Sequence, residues 1–324
     1  MQQLFQDKYK PKNIEDFGFD NSFKNNFEML IKNNILNLLF IGHSGCGKTS
    51  FIEFIANTYY NNVSKDEMEE NLLIINQMKD TSVQYFRQNM KIFCQSYCTI
   101  VNKKKLIVID DIDNINEQCQ QILRNYIDSY SNNVFFIFTC TTANKVINSI
   151  QSRLQIITLP TISHKHIISI TNNICSKENI IIDEEAIKIL IQISNLSLRR
   201  LYAFLQLFYL YENDINKDNI FKICNTISFA SIDLYFNKIN NGNLQEAINH
   251  LYVYIENGYS CIDIYEHILI YLKHNDNLYD NFKYYIIQKL ANYMCIFYEF
   301  HEDQVELALF TNALYSYNGK MYNC

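Results

Sequence analysis

The residues with the clearest chemical meaning form one stretch, Leu38-Leu39-Phe40-Ile41-Gly42-His43-Ser44-Gly45-Cys46-Gly47-Lys48-Thr49-Ser50. An apolar run ends in a glycine loop, and a helical pattern follows from Phe51 to Tyr59. The loop fits G-x-x-x-x-G-K-[ST], the phosphate-binding pattern. Gly42, Gly45 and Gly47 let the backbone curl so that its N–H groups point inward at phosphate oxygens. The helix that follows adds unpaired N-terminal donors and the positive end of its dipole. Gly42, His43, Ser44, Gly45, Cys46, Gly47, Lys48, Thr49 and Ser50 are therefore the expected nucleotide cradle. In it Lys48 reaches the β- and γ-phosphates of ATP, and the Thr49 hydroxyl holds Mg²⁺. A chance match in a Gly/Ser turn would not be preceded by a strand pattern and followed by a helix pattern.

A second constellation lies downstream. Lys103-Lys104-Lys105-Leu106-Ile107-Val108-Ile109-Asp110-Asp111 is an apolar strand ending in two carboxylates. In a phosphate-loop enzyme one such carboxylate orders Mg²⁺ and another activates water. Asp110 takes the first role here and Asp111 the second. Asp-Asp after a strand is also a turn signal, but pairing with the upstream loop favours the metal reading. The lysine triplet reads as a solvated strand entry.

These residues need elements to hold them. Short apolar runs rich in β-branched or aromatic residues predict strands at Asn37–Ile41, Leu72–Asn76, Leu106–Asp110, Val134–Cys140 and Gln155–Leu159. Such runs fit parallel strands buried on both faces. They alternate with helical patterns, the first from about Asn21 to Asn33. That alternation predicts an α/β sheet with helices on both faces and a ligand at the carboxyl ends of the strands. The segment Asp7 to Asp16 reads as polar and extended, because Lys10-Pro11 discourages helix. Pro160 marks a change, and from Ser163 onward the periodicity is helical throughout. A polar, small-residue stretch at Cys224–Ser228 divides this part in two. Leu244, Ile248, Leu251 and Ile255 then recur as a packing stripe.

Composition sets outer bounds. The 324 residues suggest two or three domains, and 48% hydrophobic residues suffice for packed cores. Only 2 prolines and 7 glycines predict long, little-interrupted helices. A formal charge of −6 means that any DNA contact must come from a local basic patch or from an assembly. The 10 cysteines show no C-x-x-C and no zinc spacing, so they read as small buried apolar residues in a reducing compartment. The N-terminus lacks the pattern of a signal peptide, and no apolar run is long enough to span a bilayer.

Taken in order, the motifs resemble those of the small subunits of replication factor C, the AAA+ sliding-clamp loader. Asp7-Lys8-Tyr9-Lys10-Pro11 resembles the family's E-K-Y-R-P, and Asp110-Asp111-Ile112-Asp113 its D-E-A-D box. Ser131-Asn132-Asn133-Val134 with Phe135-Phe136-Ile137 resembles S-N-N-V-R-F-I. Ile150-Gln151-Ser152-Arg153-Leu154 resembles I-Q-S-R-C, and Ser197-Leu198-Arg199-Arg200 resembles G-D-x-R-R. Asn241 to Ile264 resembles the collar. The resemblance implies that Tyr9 and Lys10 touch the nucleotide base. It implies that Arg153 reaches the ATP of a neighbouring subunit, while Arg199 senses the γ-phosphate from the lid. It places Thr141 beside the γ-phosphate, where the family has asparagine. Asn76 to Cys94 resembles a DNA-contacting segment in which Arg87 and Lys91, four apart, share one helix face; Arg124 matches a channel arginine.

The resemblance has gaps. Asp111 replaces a glutamate, one methylene longer, and Thr141 lacks the amide of the asparagine. Ser197 replaces an aspartate and Leu154 a cysteine; Thr81, Asn89 and Asn125 replace basic residues. The nucleotide-binding residues are thus better matched than the hydrolytic ones. The whole reading is an AAA+ P-loop ATPase core with a parallel five-stranded sheet over 1–160, a helical lid over 161–226 and a helical oligomerisation collar over 227–324. The expected function is ATP-driven loading of a sliding clamp on primer–template DNA, within a hetero-oligomeric ring, a pentamer. The cofactors are ATP and Mg²⁺, no membrane is involved, and the site of action is intracellular, in the nucleus or a cytoplasmic replication compartment. One alternative is a structural subunit that binds ATP but hydrolyses it poorly. Another is a different AAA+ replication or repair ATPase.

Overall fold

The computed structural model describes residues 3–61, 63–76, 82–211, 214–224, 226–275 and 278–321. Thr81 lies outside them. The chain folds as two compact units, Met1–Asp214 and Ile215–Cys324.

The first unit is built on the five expected strands: β1 (Leu38–Ile41), β2 (Leu72–Ile75), β3 (Lys105–Ile109), β4 (Val134–Cys140) and β5 (Gln155–Thr158). Their order is β2-β3-β4-β1-β5, and every pairing is parallel. Alternate residues feed two separate cores. Leu38, Phe40, Leu106, Val108, Phe135 and Ile137 pack with Phe51, Ile52 and Ile55 of the helix Lys48–Tyr59. Leu39, Ile107, Ile109, Phe136 and Phe138 pack on the other face with Phe86, Met90, Leu123 and Ile127. A slip of one residue in register would exchange the two sets. Ile41 lies opposite Cys140 and Ile109 opposite Phe138, so β1, β3 and β4 end side by side. Those three ends carry the phosphate loop, Asp110-Asp111 and Thr141.

Three local expectations are corrected. First, β5 is not covered on both faces: Gln155, Ile156 and Thr158 are exposed, because β5 is an edge strand paired only with β1. Second, the segment Asp7 to Asp16 is not extended throughout. A helical turn, Phe5–Lys8, precedes Pro11 and a 3₁₀ turn, Ile14–Phe17, follows it. Buried Phe5 and Phe17 drive this; Phe5 packs on Tyr209 and Phe17 on Phe51. Third, Arg87 and Lys91 do not ride one continuous helix. The chain breaks at Gln88 between Val83–Arg87 and Asn89–Gln95. The Phe86 carbonyl, which an unbroken helix would give to the Met90 N–H, accepts instead from the Tyr126 hydroxyl at 2.9 Å.

Beyond β5 the first unit continues as helices His164–Glu178, Glu184–Ser194 and Leu198–Tyr211. The second unit contains the helices Lys217–Ile223, Phe229–Asn240, Leu244–Glu256, Cys261–His274, Asp280–Glu299 and Gln304–Met321. Its core centres on Tyr235, Phe236, Leu251, Tyr265, Ile286 and Phe310. Of the expected stripe, Leu251 is fully buried and Leu244, Ile248 and Ile255 half-buried. The described cysteines are all free thiols, six of them buried. No helix among the described residues is long and apolar enough to cross a membrane.

Candidate nucleotide site

A cavity of about 700 Å³ opens at the carboxyl end of the sheet. The phosphate loop from Ser44 to Ser50 forms its floor. Tyr9, Lys10 and Asn13 form one wall; His166, Asn173, Lys177, Arg199 and Tyr202 form another. Asp111 closes the end nearest Lys48.

The loop has the backbone its function needs. Gly45 has φ +77° and Gly47, at the start of the helix, φ +95°, both in the left-handed region that glycine tolerates. Gly45 is also pressed from outside. A Cβ there would lie 2.2 Å from Ser197 Oγ, and the Leu198 N–H donates to the Gly45 carbonyl at 3.0 Å. The start of the helix Leu198–Tyr211 thus rests on the loop, which brings Arg199 to the cavity. Lys48 is 7% exposed. Its ammonium donates to the Gly42 carbonyl at 2.8 Å and the His43 carbonyl at 3.2 Å, and lies 3.9 Å from Asp111 Oδ1.

The carboxylates form a layered network. The Thr49 hydroxyl donates to Asp110 Oδ2 at 2.7 Å, joining the two expected metal-binding residues. The Thr139 hydroxyl donates to Asp110 Oδ1 at 2.6 Å and accepts the Asp111 N–H at 2.8 Å. Thr139 thereby orients the Asp110 carboxylate and anchors the backbone of Asp111. Sequence reasoning missed it, although a fully buried threonine in the apolar run Val134–Cys140 was the available signal. Asp111 has φ +52° and ψ +59°, a strained backbone for a residue with a Cβ. Burial and the Asp110 charge push its carboxyl up, against the pull of Lys48 and Arg199.

Thr141 does not face the cavity with a free hydroxyl. It donates to Asp113 Oδ2, which also accepts the Thr141 N–H at 3.1 Å and the Thr142 N–H at 3.3 Å. Burial opposes the Asp113 charge, but these donors outweigh it and hold the carboxyl below its ordinary value. A depressed folded-state pKa means stabilisation that is complete above the ordinary aspartate range and is lost as pH falls through the folded value. Asp113→Ala strands three donors and is expected to cost on the order of 3 kcal/mol. Urea melts of both proteins at neutral pH and at decreasing pH check this: the gap between them should narrow with acid.

The remaining expected residues divide clearly. The Tyr9 hydroxyl donates to Glu178, as does Lys8 at 2.5 Å, tying the N-terminal segment to the helix His164–Glu178. Burial first, then the bond and charge of Glu178, push the Tyr9 phenol far up. Lys10 pairs with Glu53 at 3.1 Å. Gly42 and His43 serve through the carbonyls that hold Lys48 rather than as cavity lining. Arg153, Arg87, Lys91 and Arg124 lie outside the cavity. Arg87 and Lys91 are exposed. Arg124 and Arg153 both approach Asp128, at 3.6 Å and 2.5 Å.

A parallel sheet carrying a phosphate loop at one strand end and an acidic pair on the second strand over defines a P-loop ATPase of the AAA+ class. Comparison with known proteins agrees. Residues 38–161 match the ATPase family associated with various cellular activities (AAA), and residues 227–295 match the replication factor C C-terminal domain. The chain is 27% identical to a putative replication factor C small subunit of Acanthamoeba polyphaga mimivirus, covering 82% of each chain. It is 26% identical to the replication factor C small subunit of Thermoplasma acidophilum, covering 95% of each. Against replication factor C subunit 4 of Oryza sativa it is 25% identical, over 83% of this chain and 80% of that one. Among solved structures, the Thermotoga maritima RuvB Holliday junction branch migration motor matches 71% of this chain and 79% of its own, with a TM-score of 0.50 and 16% identity, a likeness of fold. The chain thus joins an AAA ATPase domain to a replication factor C C-terminal domain and is similar to replication factor C small subunits over most of its length.

Proposed function

We propose that this chain is an ATP-binding small subunit of a sliding-clamp loader, working in a hetero-oligomeric ring that places a clamp on primer–template DNA. One observation carries the reading: a complete phosphate cradle in the chain's own cavity, and an arginine of the S-R motif held outside that cavity. Such an arginine serves a neighbour's nucleotide, not its own.

The residues present fit MgATP. Lys48 already lies against two carbonyls and exchanges them for β- and γ-phosphate oxygens, which attract an ammonium more strongly. Thr49 and Asp110 offer one hydroxyl and one carboxylate, a partial shell of the kind Mg²⁺ uses when phosphates and water complete it. When bound, the ion neutralises charge on the β- and γ-oxygens. Asp111 holds the place from which a carboxylate orients the attacking water. Arg199 contacts the γ-phosphate and links nucleotide state to the lid segment. Arg87, Lys91 and Arg124 follow DNA phosphates without sequence preference. We assign the core to 1–160, the lid to 161–226 and the collar to 227–324, the collar making the ring. Its place is intracellular, at sites of replication.

A second reading has support of its own: a subunit that binds ATP and hydrolyses it slowly. Asp111 is short and sits on a strained backbone, and the Thr141 hydroxyl is committed to Asp113. Steady-state ATPase of the chain, alone and then with partner subunits, clamp and primed DNA, tests the proposal. Strong stimulation by clamp plus DNA supports the loader; a rate indifferent to both overturns it. Asp111→Glu separates the two readings. A gain of about tenfold or more marks an attenuated native site, since small displacements of a reacting group carry such factors.

A further inference from the structure

Arg153 is held by a small cage of its own. Its Nε donates to Asp128 Oδ1 at 2.5 Å, and its Nη1 donates to the Ser149 carbonyl at 2.7 Å and the Ser152 hydroxyl at 3.4 Å. Asp128 lies near the end of the helix Glu117–Tyr130; Ser149 belongs to the helical turn Asn148–Gln151 just before Arg153. The guanidinium is planar, so fixing Nε and Nη1 from two elements fixes the plane. The other terminal nitrogen, Nη2, makes no hydrogen bond among the described residues. The side chain is only 29% exposed, and the carboxylate 44%. The pair is thus a bracket at the surface that presents one edge of a guanidinium outward.

We propose that Asp128 is the positioning residue of Arg153: it orients the guanidinium so that the Nη2 edge meets the transferring phosphoryl group of the neighbouring subunit. This rests on the trans-acting role given to Arg153 above. The physical reason is preorganisation. A long arginine at a surface loses rotamer freedom on docking, and a fixed carboxylate meets that cost before the subunits meet. The bond between opposite charges also keeps Nε occupied, leaving the Nη2 edge for the phosphoryl oxygens. Asp128 itself takes no part in the chemistry. Its second oxygen, Oδ2, lies 3.6 Å from the Arg124 Nε on the same helix. One carboxylate therefore stands between two guanidiniums, and removing its charge leaves two cations side by side.

The test uses the assembled ring of full-length subunits, with ATP turnover measured at the site that receives Arg153. Asp128→Asn keeps the shape of the side chain and removes the charge. The expected result is a fall in kcat of at least tenfold at that site, with the ATP concentration for half-saturation unchanged and the chain's own ATP affinity unchanged. Arg153→Ala should lower the same kcat further. The double variant should be no worse than Arg153→Ala alone, because Asp128 acts through Arg153. Wild-type turnover in Asp128→Asn, a rise in turnover, or an effect that adds in full to that of Arg153→Ala would each overturn the inference. A lowered melting temperature or a lost ring, with kcat per assembled ring intact, would reduce Asp128 to a structural residue. If Arg153→Ala leaves the neighbour's turnover intact, the trans-acting reading itself fails, and the two failures are told apart.

Discussion

Lys48→Ala is expected to weaken MgATP binding by at least about 100-fold, or roughly 2.7 kcal/mol. The Lys48 side chain is 7% exposed and its ammonium lies within 3.2 Å of two loop carbonyls, so its charge is aimed along the floor of the cavity. Among the described residues no other lysine or arginine lies on that floor; Arg199 and Lys177 approach from the lid side, and Lys8, Lys10 and Lys12 from the N-terminal wall. Alanine is a good helix former at this first helical position. The protein without nucleotide should therefore melt near its wild-type temperature. The wild type should gain about 2.7 kcal/mol of stability at a MgATP concentration 100 times its Kd, and the variant almost none. Paired thermal melts with and without MgATP, alongside equilibrium binding, read this directly. Wild-type affinity in Lys48→Ala would mean that the nucleotide sits elsewhere.

Arg153→Ala should produce the mirror-image result. In the assembled ring, turnover at the neighbouring site is expected to fall by about a thousandfold, the lower end of what an arginine supplied in trans contributes to phosphoryl transfer. The chain's own ATP affinity should stay unchanged, because Arg153 does not line its own cavity. The isolated chain should show the same slow turnover with or without the substitution. Pre-steady-state turnover in mixed rings, with only this subunit substituted, makes the assignment. A loss confined to the chain's own site would place Arg153 in cis and contradict the geometry. In the Arg153→Ala variant Asp128 keeps one guanidinium neighbour, that of Arg124, 3.6 Å away.

The two variants probe different kinds of information. Lys48 was legible because everything it needs is local: a strand before it, glycines at fixed spacing, a helix after it. The role proposed for Arg153 rests on resemblance, since a lone arginine after a serine has no local signature. The strands were legible because burial on both faces writes apolar runs into β1, β3 and β4. The same rule failed for β5, whose composition suits burial although its place at the sheet edge leaves Gln155, Ile156 and Thr158 exposed. It failed again at Gln88, where a continuous helical pattern is broken by the hydroxyl of Tyr126, a residue 40 positions from the carbonyl it captures. The segment Asp7 to Asp16 was misread for a related reason. The effect of Pro11 on its neighbours is local, but the apolar partners Tyr209 and Phe51 are not.

By itself the sequence determined the strand and helix periods, the phosphate loop and the acidic pair, because backbone geometry and side-chain alternation act over a few residues. Tertiary structure decided which polar groups complete the site. Thr139 turns Asp110 from 29 positions away, Glu178 holds Tyr9 from 169, and Asp128 brackets Arg153 from 25. Hydrogen bonds and ion pairs between distant residues depend on the crossing of β1 between β4 and β5 and on helices folding back over the strand ends. No spacing along the chain encodes them, so they become visible only when the sheet order has brought the partners together.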